Sequence, residues 1–248
     1  MRKMAICLSK GGVGKTTTAT TLAYGLGQRN KSVLLVDCDT QGQAGFFMGA
    51  KPGRGLAEVL LGEARIGDCL LEAKPNVMLL AGGRRLADAT LHISKRTMGI
   101  ERALLEVLQE VEGHYDYVLL DMAPGWDLLS VNALMYVQEI LAPVELQMAS
   151  MESLGQFFKR VADVKKYNSQ LHTRYIVPTM WDRRSSESRS IYEQLRAQFP
   201  QAICEPIRAS VKFFEATSKG MTIFEYAPKT PGADDYGKLV NRVSQEHI

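Results

Sequence analysis

The stretch CLSKGGVGKTTTAT, Cys7 to Thr20, gathers the residue types that hold a polyphosphate. Gly11, Gly12 and Gly14, with Val13 among them, allow successive backbone N–H groups to turn inward and form a concave anion site. A helix expected to start near Thr16 aims its positive dipole end at the same point. Lys15 is placed to neutralise β and γ phosphates and the Thr16 hydroxyl to ligate Mg2+, with Thr17 beside it. One lysine suffices for that task. Lys10, five residues earlier, is a second cation that the loop chemistry by itself leaves without a role.

A magnesium–phosphate site also needs an acid at the end of a neighbouring strand. Asp121 closes the apolar run YDYVLLD and fits the holding of a metal-bound water. Asp37 and Asp39 end a second run, in VLLVDCDTQGQA. Side chains alternate along a strand, so these two share a face on either side of Cys38. Asp39, one step beyond the strand, is the candidate for orienting a water that attacks a terminal phosphate. Asp37 is open to two roles, a structural carboxylate or a member of the metal shell.

The elements that must position these groups are six short apolar runs: MAICL (4–8), SVLLVD (32–37), NVMLLA (76–81), YDYVLLD (115–121), EILAPVE (139–145) and RYIVPT (174–179). They are near-continuous in hydrophobicity, as strands are when helices cover both faces of a sheet. Helical patterns fall between and around them, in TTATTLAYGLGQRN, GIERALLEVLQEVEG, MESLGQFFKRVADVKKYN and SIYEQLRAQF. Strand and helix alternating over the whole length predicts a single α/β domain, residues 1–248, with a mostly parallel twisted sheet and helices on both faces. The glycine-rich patches GAKPGRG (49–55) and LAGGRR (80–85) are expected to be loops within it.

Bulk composition narrows the class. The 248 residues are 46% hydrophobic and 23% charged, which excludes a disordered chain. A net charge of +3 is compatible with an acidic polymer as partner and does not demand one, so a nucleic-acid site must come from local clustering. Cys7, Cys38, Cys69 and Cys204 show neither a CxxC pair nor a zinc or disulfide spacing, and reduced, mostly buried thiols are expected. No apolar run reaches the ~18 residues of a membrane span, and the N-terminus is unlike a signal peptide. A cytoplasmic protein is the expectation.

At these residues the sequence resembles the ParA/MinD ATPases. KGGVGKTTTA is similar to their deviant Walker A motif, distinguished by the lysine at the position of Lys10. VLLVDCDTQGQA resembles a second family segment, with Thr40 in place of the usual proline. YDYVLLDMAPGWDLLSVNAL resembles a third, from which Ala123, Gly125 and Trp126 depart. VPTMWDRR and the segment from Ile207 to Leu239 are similar to the ParA branch specifically.

The resemblance implies a P-loop NTPase fold of the deviant Walker A type and a weak ATPase that uses ATP and Mg2+. It implies a homodimer with ATP between the subunits, where Lys15 serves its own nucleotide and Lys10 crosses to that of the partner. It also implies non-specific DNA contacts at Arg184 and Lys212, a patch that Arg183, Arg189 and Lys219 would widen, and adenine contacts from Thr179, Met180 and Pro206. A ParB-like or small adaptor protein would stimulate hydrolysis on the nucleoid, moving a plasmid, a chromosome or a protein cargo such as a microcompartment.

Two alternatives share the loop. A MinD-like membrane-cycling ATPase needs an amphipathic C-terminal helix, and the tail DDYGKLVNRVSQEHI is short and polar for that. An iron–sulfur scaffold ATPase needs a cysteine soon after the Walker B acid, where Met122, Ala123 and Pro124 stand.

Overall fold

The computed structural model describes residues 1–111 and 113–246. Seven strands, β1 (Arg2–Ile6), β2 (Val33–Cys38), β3 (Leu70–Lys74), β4 (Val77–Leu80), β5 (Tyr117–Met122), β6 (Glu139–Glu145) and β7 (His172–Thr179), form one sheet. Their order is β3-β4-β2-β5-β1-β6-β7. Every pairing is parallel except β3 with β4. All six expected strands are present. β3 is the addition: an edge strand, half-exposed, whose Glu72 and Lys74 break any apolar run.

β2 and β5 are buried along their whole length, and their alternate residues feed two cores. Leu34, Val36 and Cys38 face one core; Val33 and Leu35 face the other. On the second face lie α1 (Lys15–Gly27), α2 (Gln43–Phe47), and the C-terminal α9 (Val211–Ser218), α10 (Ile223–Tyr226) and α11 (Pro231–Gln245). The first face is covered by α3 (Leu56–Leu60), α4 (Leu86–Ser94), α5 (Ala103–Leu108), α6 (Leu128–Tyr136), α7 (Met148–Lys165) and α8 (Ser186–Gln198). The helix expected over 99–113 is shortened to α5, with a 3-10 turn at 100–102 before it. Asn132 of α6 fixes that break, donating to the Ile100 carbonyl at 2.9 Å and accepting from the Leu104 N–H at 3.2 Å.

Among the described residues, no helix is long and apolar enough to cross a membrane. The four cysteines are all buried free thiols. Because β1, β2 and β5 run parallel side by side, their carboxyl ends open on the same edge of the sheet, where ligands of such folds sit.

Candidate nucleotide-binding site

Register alone brings the sequence-predicted acids to the loop: Ile6 of β1 and Asp37 of β2 both pair with Asp121 of β5. From β1 the chain runs through residues 7–14 into α1. Gly14 makes the final turn at φ 86°, a left-handed conformation that a side chain would strain. No side chain caps α1, so its first N–H groups stay free for an anion. Two distant contacts brace the loop: the Thr179 hydroxyl donates to the Val13 carbonyl at 3.0 Å, and the Gly125 N–H donates to the Ser9 carbonyl at 3.0 Å.

Lys15 is buried and its ammonium donates to the Lys10 carbonyl at 2.8 Å, folded back over its own loop. Burial lowers its pKa, opposed by Asp121, Cys7 and Asp39. The cleft in front of the loop is about 580 Å³ and is lined by Gly12, Gly14, Lys15, Thr16, Thr17 and Asp39, among others. Of the loop residues predicted to hold phosphate, Gly11 lies beside Pro124 and Val13 is fully buried as the loop's anchor.

The three acids divide by what their oxygens touch. Asp121 is buried, and among the described residues neither carboxylate oxygen has a partner at full hydrogen-bond geometry, the Thr16 hydroxyl being only a loose neighbour. Burial, reinforced by Asp37 and Asp39, pushes its pKa well above the carboxylate range, while Thr16 and Lys15 act in the opposite sense. An orphaned carboxylate next to a threonine hydroxyl and an ammonium is a donor set that fits Mg2+ on a phosphate. Asp37 has both oxygens occupied, by the Asp39 N–H at 2.9 Å and the Ala44 N–H at 3.0 Å. Burial raises it to about 6, with those N–H bonds opposing.

These contacts match the structural one of its two expected roles: Asp37 pins the turn that carries Asp39, while each oxygen keeps a further lone pair. Gly82 makes that turn possible, since a Cβ there would lie 2.6 Å from the Asp39 carbonyl and 2.7 Å from Asp37 Oδ1. Asp39 accepts from the Gln41 N–H at 2.9 Å and borders the cleft.

Lys10 is absent from the cleft lining. Its ammonium lies 2.8 Å from Glu145 Oε2 and 3.0 Å from Ser150 Oγ, at the end of β6 and the start of α7. Sequence reasoning missed both partners; the signal was a carboxylate closing an otherwise apolar strand.

A second pocket, also about 580 Å³, continues from Gly14 and Thr17 toward α9. Met180, in the left-handed region at φ 55° and 44% exposed, borders both pockets. Thr179 lines the second one, whereas Pro206, expected there, is buried and does not. The reason is pairing: the Ile207 N–H donates to the Pro178 carbonyl at 2.8 Å and the Trp181 N–H to the Ile207 carbonyl at 3.0 Å. That register presents Ile207, Arg208, Ala209 and Ser210 to the pocket, with Phe47 and Phe213 supplying aromatic walls.

The basic residues fall in two groups. Arg183, Arg184 and Arg189 are exposed after β7 and on α8; Lys212 is in the first turn of α9 and Lys219 follows its end. A parallel bridge between Trp181 and Arg208 draws the two segments together. Arg184 is forked onto Asp182 at 3.1 and 3.0 Å, and Lys212 is paired with Glu215 at 2.7 Å. Arg183 and Lys219 lie over the Trp181 and Tyr226 rings, at 5.2 and 4.7 Å, and Lys212 is also near the Tyr226 ring, at 5.9 Å.

Comparison with known proteins agrees with this geometry. A family described as "AAA domain" matches residues 1–173. The "Chromosome-partitioning ATPase Soj" of Thermus thermophilus is 36% identical, covering 98% of this chain and 95% of that protein. The "Sporulation initiation inhibitor protein Soj" of Bacillus subtilis is 31% identical, covering 97% of each. Among solved structures, cobyrinic acid a,c-diamide synthase of Mycobacterium smegmatis with bound ADP and magnesium superposes with TM-score 0.84 at 27% identity, over 99% of this chain and 94% of that one. McdA of Cyanothece in complex with ATP gives TM-score 0.85 at 22% identity, over 100% and 98%, a likeness in fold alone. With its two-lysine loop, its metal-ready Asp121 and relatives of this identity along nearly its full length, the chain belongs to the ParA/MinD family of ATPases.

Proposed function

We propose that the protein is a partitioning ATPase, acting as one unit over its whole length, that dimerises on Mg2+ and ATP and binds DNA without sequence preference as that dimer. The observation that carries the reading is the placement of two lysines on one loop. Lys15 lies over its own phosphate cleft, while Lys10 is held outside it by Glu145 and Ser150. A cation outside its own cleft is available to a second subunit, and an ammonium given across an interface adds attraction only when triphosphate is present.

Within a subunit, the α1 N–H groups and Lys15 hold the phosphates, and Thr16 and Asp121 would hold the metal, which would supply charge neutralisation on the triphosphate. Asp39 orients the attacking water. Adenine sits in the pocket bordered by Met180 and Ile207–Ser210. Hydrolysis ends the contribution of Lys10 and releases the dimer, and with it the DNA held by Arg183, Arg184, Lys212 and Lys219 through non-specific phosphate contacts. A ParB-like or small adaptor protein sets the rate of that step on the nucleoid.

Light scattering with Mg2+ and ATP tests the reading. The parent chain is expected to double in mass, and Lys10→Ala and Lys15→Ala to remain monomeric. An undiminished dimer in both variants would remove the proposal.

A further inference from the structure

Away from the nucleotide cleft, a groove of about 540 Å³ opens between the 3-10 turn at 100–102, α6 and α7. Trp126, Val131, Met135 and Val164 form its apolar floor, and Tyr167 stands at its side, 81% exposed. Arg160 projects from α7 over the Trp126 indole, 5.6 Å from the ring centroid. Its guanidinium has no carboxylate or hydrogen-bond partner among the described residues. The nearby Asp163 is engaged by Lys166 at 2.7 Å, which leaves Glu101 as the groove's one unpaired acid among the described residues.

These observations point to a chain segment as occupant. Trp, Tyr, Met and Arg are the residue types enriched where proteins bind one another. A guanidinium already resting over an indole loses less freedom on binding than a fully solvated one, and its free N–H fork matches a carboxylate in bidentate fashion. We propose that this groove is the docking site for a segment of a partner protein that seats an apolar side chain against Trp126 and presents a carboxylate to Arg160. Glu101 repels an acid placed on its own side, so the segment is accepted in one direction.

The groove also communicates with the cleft. Trp126 lies between Pro124 and Asp127, both of which border the nucleotide cleft, and the intervening Gly125 is bonded to Ser9 of the phosphate loop. A side chain pressed onto Trp126 therefore acts on a segment that borders the cleft and is bonded to the phosphate loop. This rests on the reading of the chain as a partner-stimulated ATPase and places the stimulus.

Random peptides about twelve residues long, displayed on phage and panned against the full chain, provide the probe. Enriched peptides are expected to pair an apolar or aromatic residue with Asp or Glu. A synthetic copy should bind about tenfold more weakly to Arg160→Glu in fluorescence anisotropy. Replacing the acid of that peptide by lysine should restore binding to the same variant, and melting curves should match the parent. Equal affinity for parent and Arg160→Glu, selected peptides without an acid, or no enrichment would each overturn the proposal. So would concentration-dependent self-association that Arg160→Glu abolishes, which assigns the groove to a second copy. Docking is read without turnover, so its failure leaves ATP-driven dimerisation intact, and failed dimerisation leaves a bound peptide unexplained only in its effect.

Discussion

The Lys10 ammonium lies 2.8 Å from the Glu145 carboxylate, so the lysine that distinguishes this loop is tied to the neighbouring strand of its own subunit. The two side chains are 25% and 19% exposed, and a pair of this kind is worth about 1 kcal/mol. In the proposed dimer Lys10 would have to leave Glu145 to reach a partner's phosphates, so the pair would oppose dimerisation. Glu145→Gln is expected to tighten the ATP-dependent dimer about fivefold, measured by sedimentation equilibrium. An unchanged or weaker dimer would mean that the pair is kept in the dimer.

Asp121 and Asp37 make the nucleotide-free protein sensitive to pH. Both carboxyls are raised by burial above the ordinary 3.8, Asp37 to about 6. Their neutral forms favour the fold, a contribution complete below about pH 4 and lost as pH rises, for Asp37 through about 6. Asp121→Asn removes the charge that burial penalises. Without nucleotide, the variant should melt above the parent, by a margin that widens as pH rises above about 4 and amounts to a few degrees. With Mg2+ and ATP the order should reverse, because only the parent gains the metal. Differential scanning fluorimetry across pH reads both.

How much of this is legible in the sequence depends on distance along the chain. β2 and β5 announce themselves as continuous apolar runs, and the phosphate loop by its glycines and lysines. β3 does not, because an edge strand carries Glu72 and Lys74 and needs only its antiparallel neighbour to form. Lys10 and Glu145 are 135 residues apart and Val13 and Thr179 are 166 apart, so nothing local connects them. Pro206 is set off the pocket lining for the same reason: which of residues 206–209 faces the pocket is fixed by hydrogen bonds to Pro178 and Trp181, a register no periodicity encodes.

Asp39 should separate assembly from chemistry. It borders the cleft beyond β2, its Oδ1 engaged by the Gln41 N–H, and it adds no ligand to the phosphate loop. Asp39→Ala is expected to keep the ATP-dependent dimer while lowering phosphate release about a hundredfold or more. Normal release would remove the water-orienting role.

The basic groups differ in what already occupies them, and DNA affinity should rank accordingly. Arg184 and Lys212 have carboxylate partners at 3.0 and 2.7 Å, so each must surrender an ion pair to take a phosphate. Arg183 and Lys219 rest on aromatic faces and give up less. Arg183→Ala with Lys219→Ala is therefore expected to weaken DNA binding by the ATP-loaded dimer more than Arg184→Ala with Lys212→Ala. Each lost phosphate contact should lower the slope of log affinity against log salt by about 1. Fluorescence anisotropy on duplexes of unrelated sequence, at several salt concentrations, measures both quantities. A stronger effect from the Arg184 and Lys212 pair would show that DNA draws them off Asp182 and Glu215, and that the two ion pairs serve to hold the cations in place.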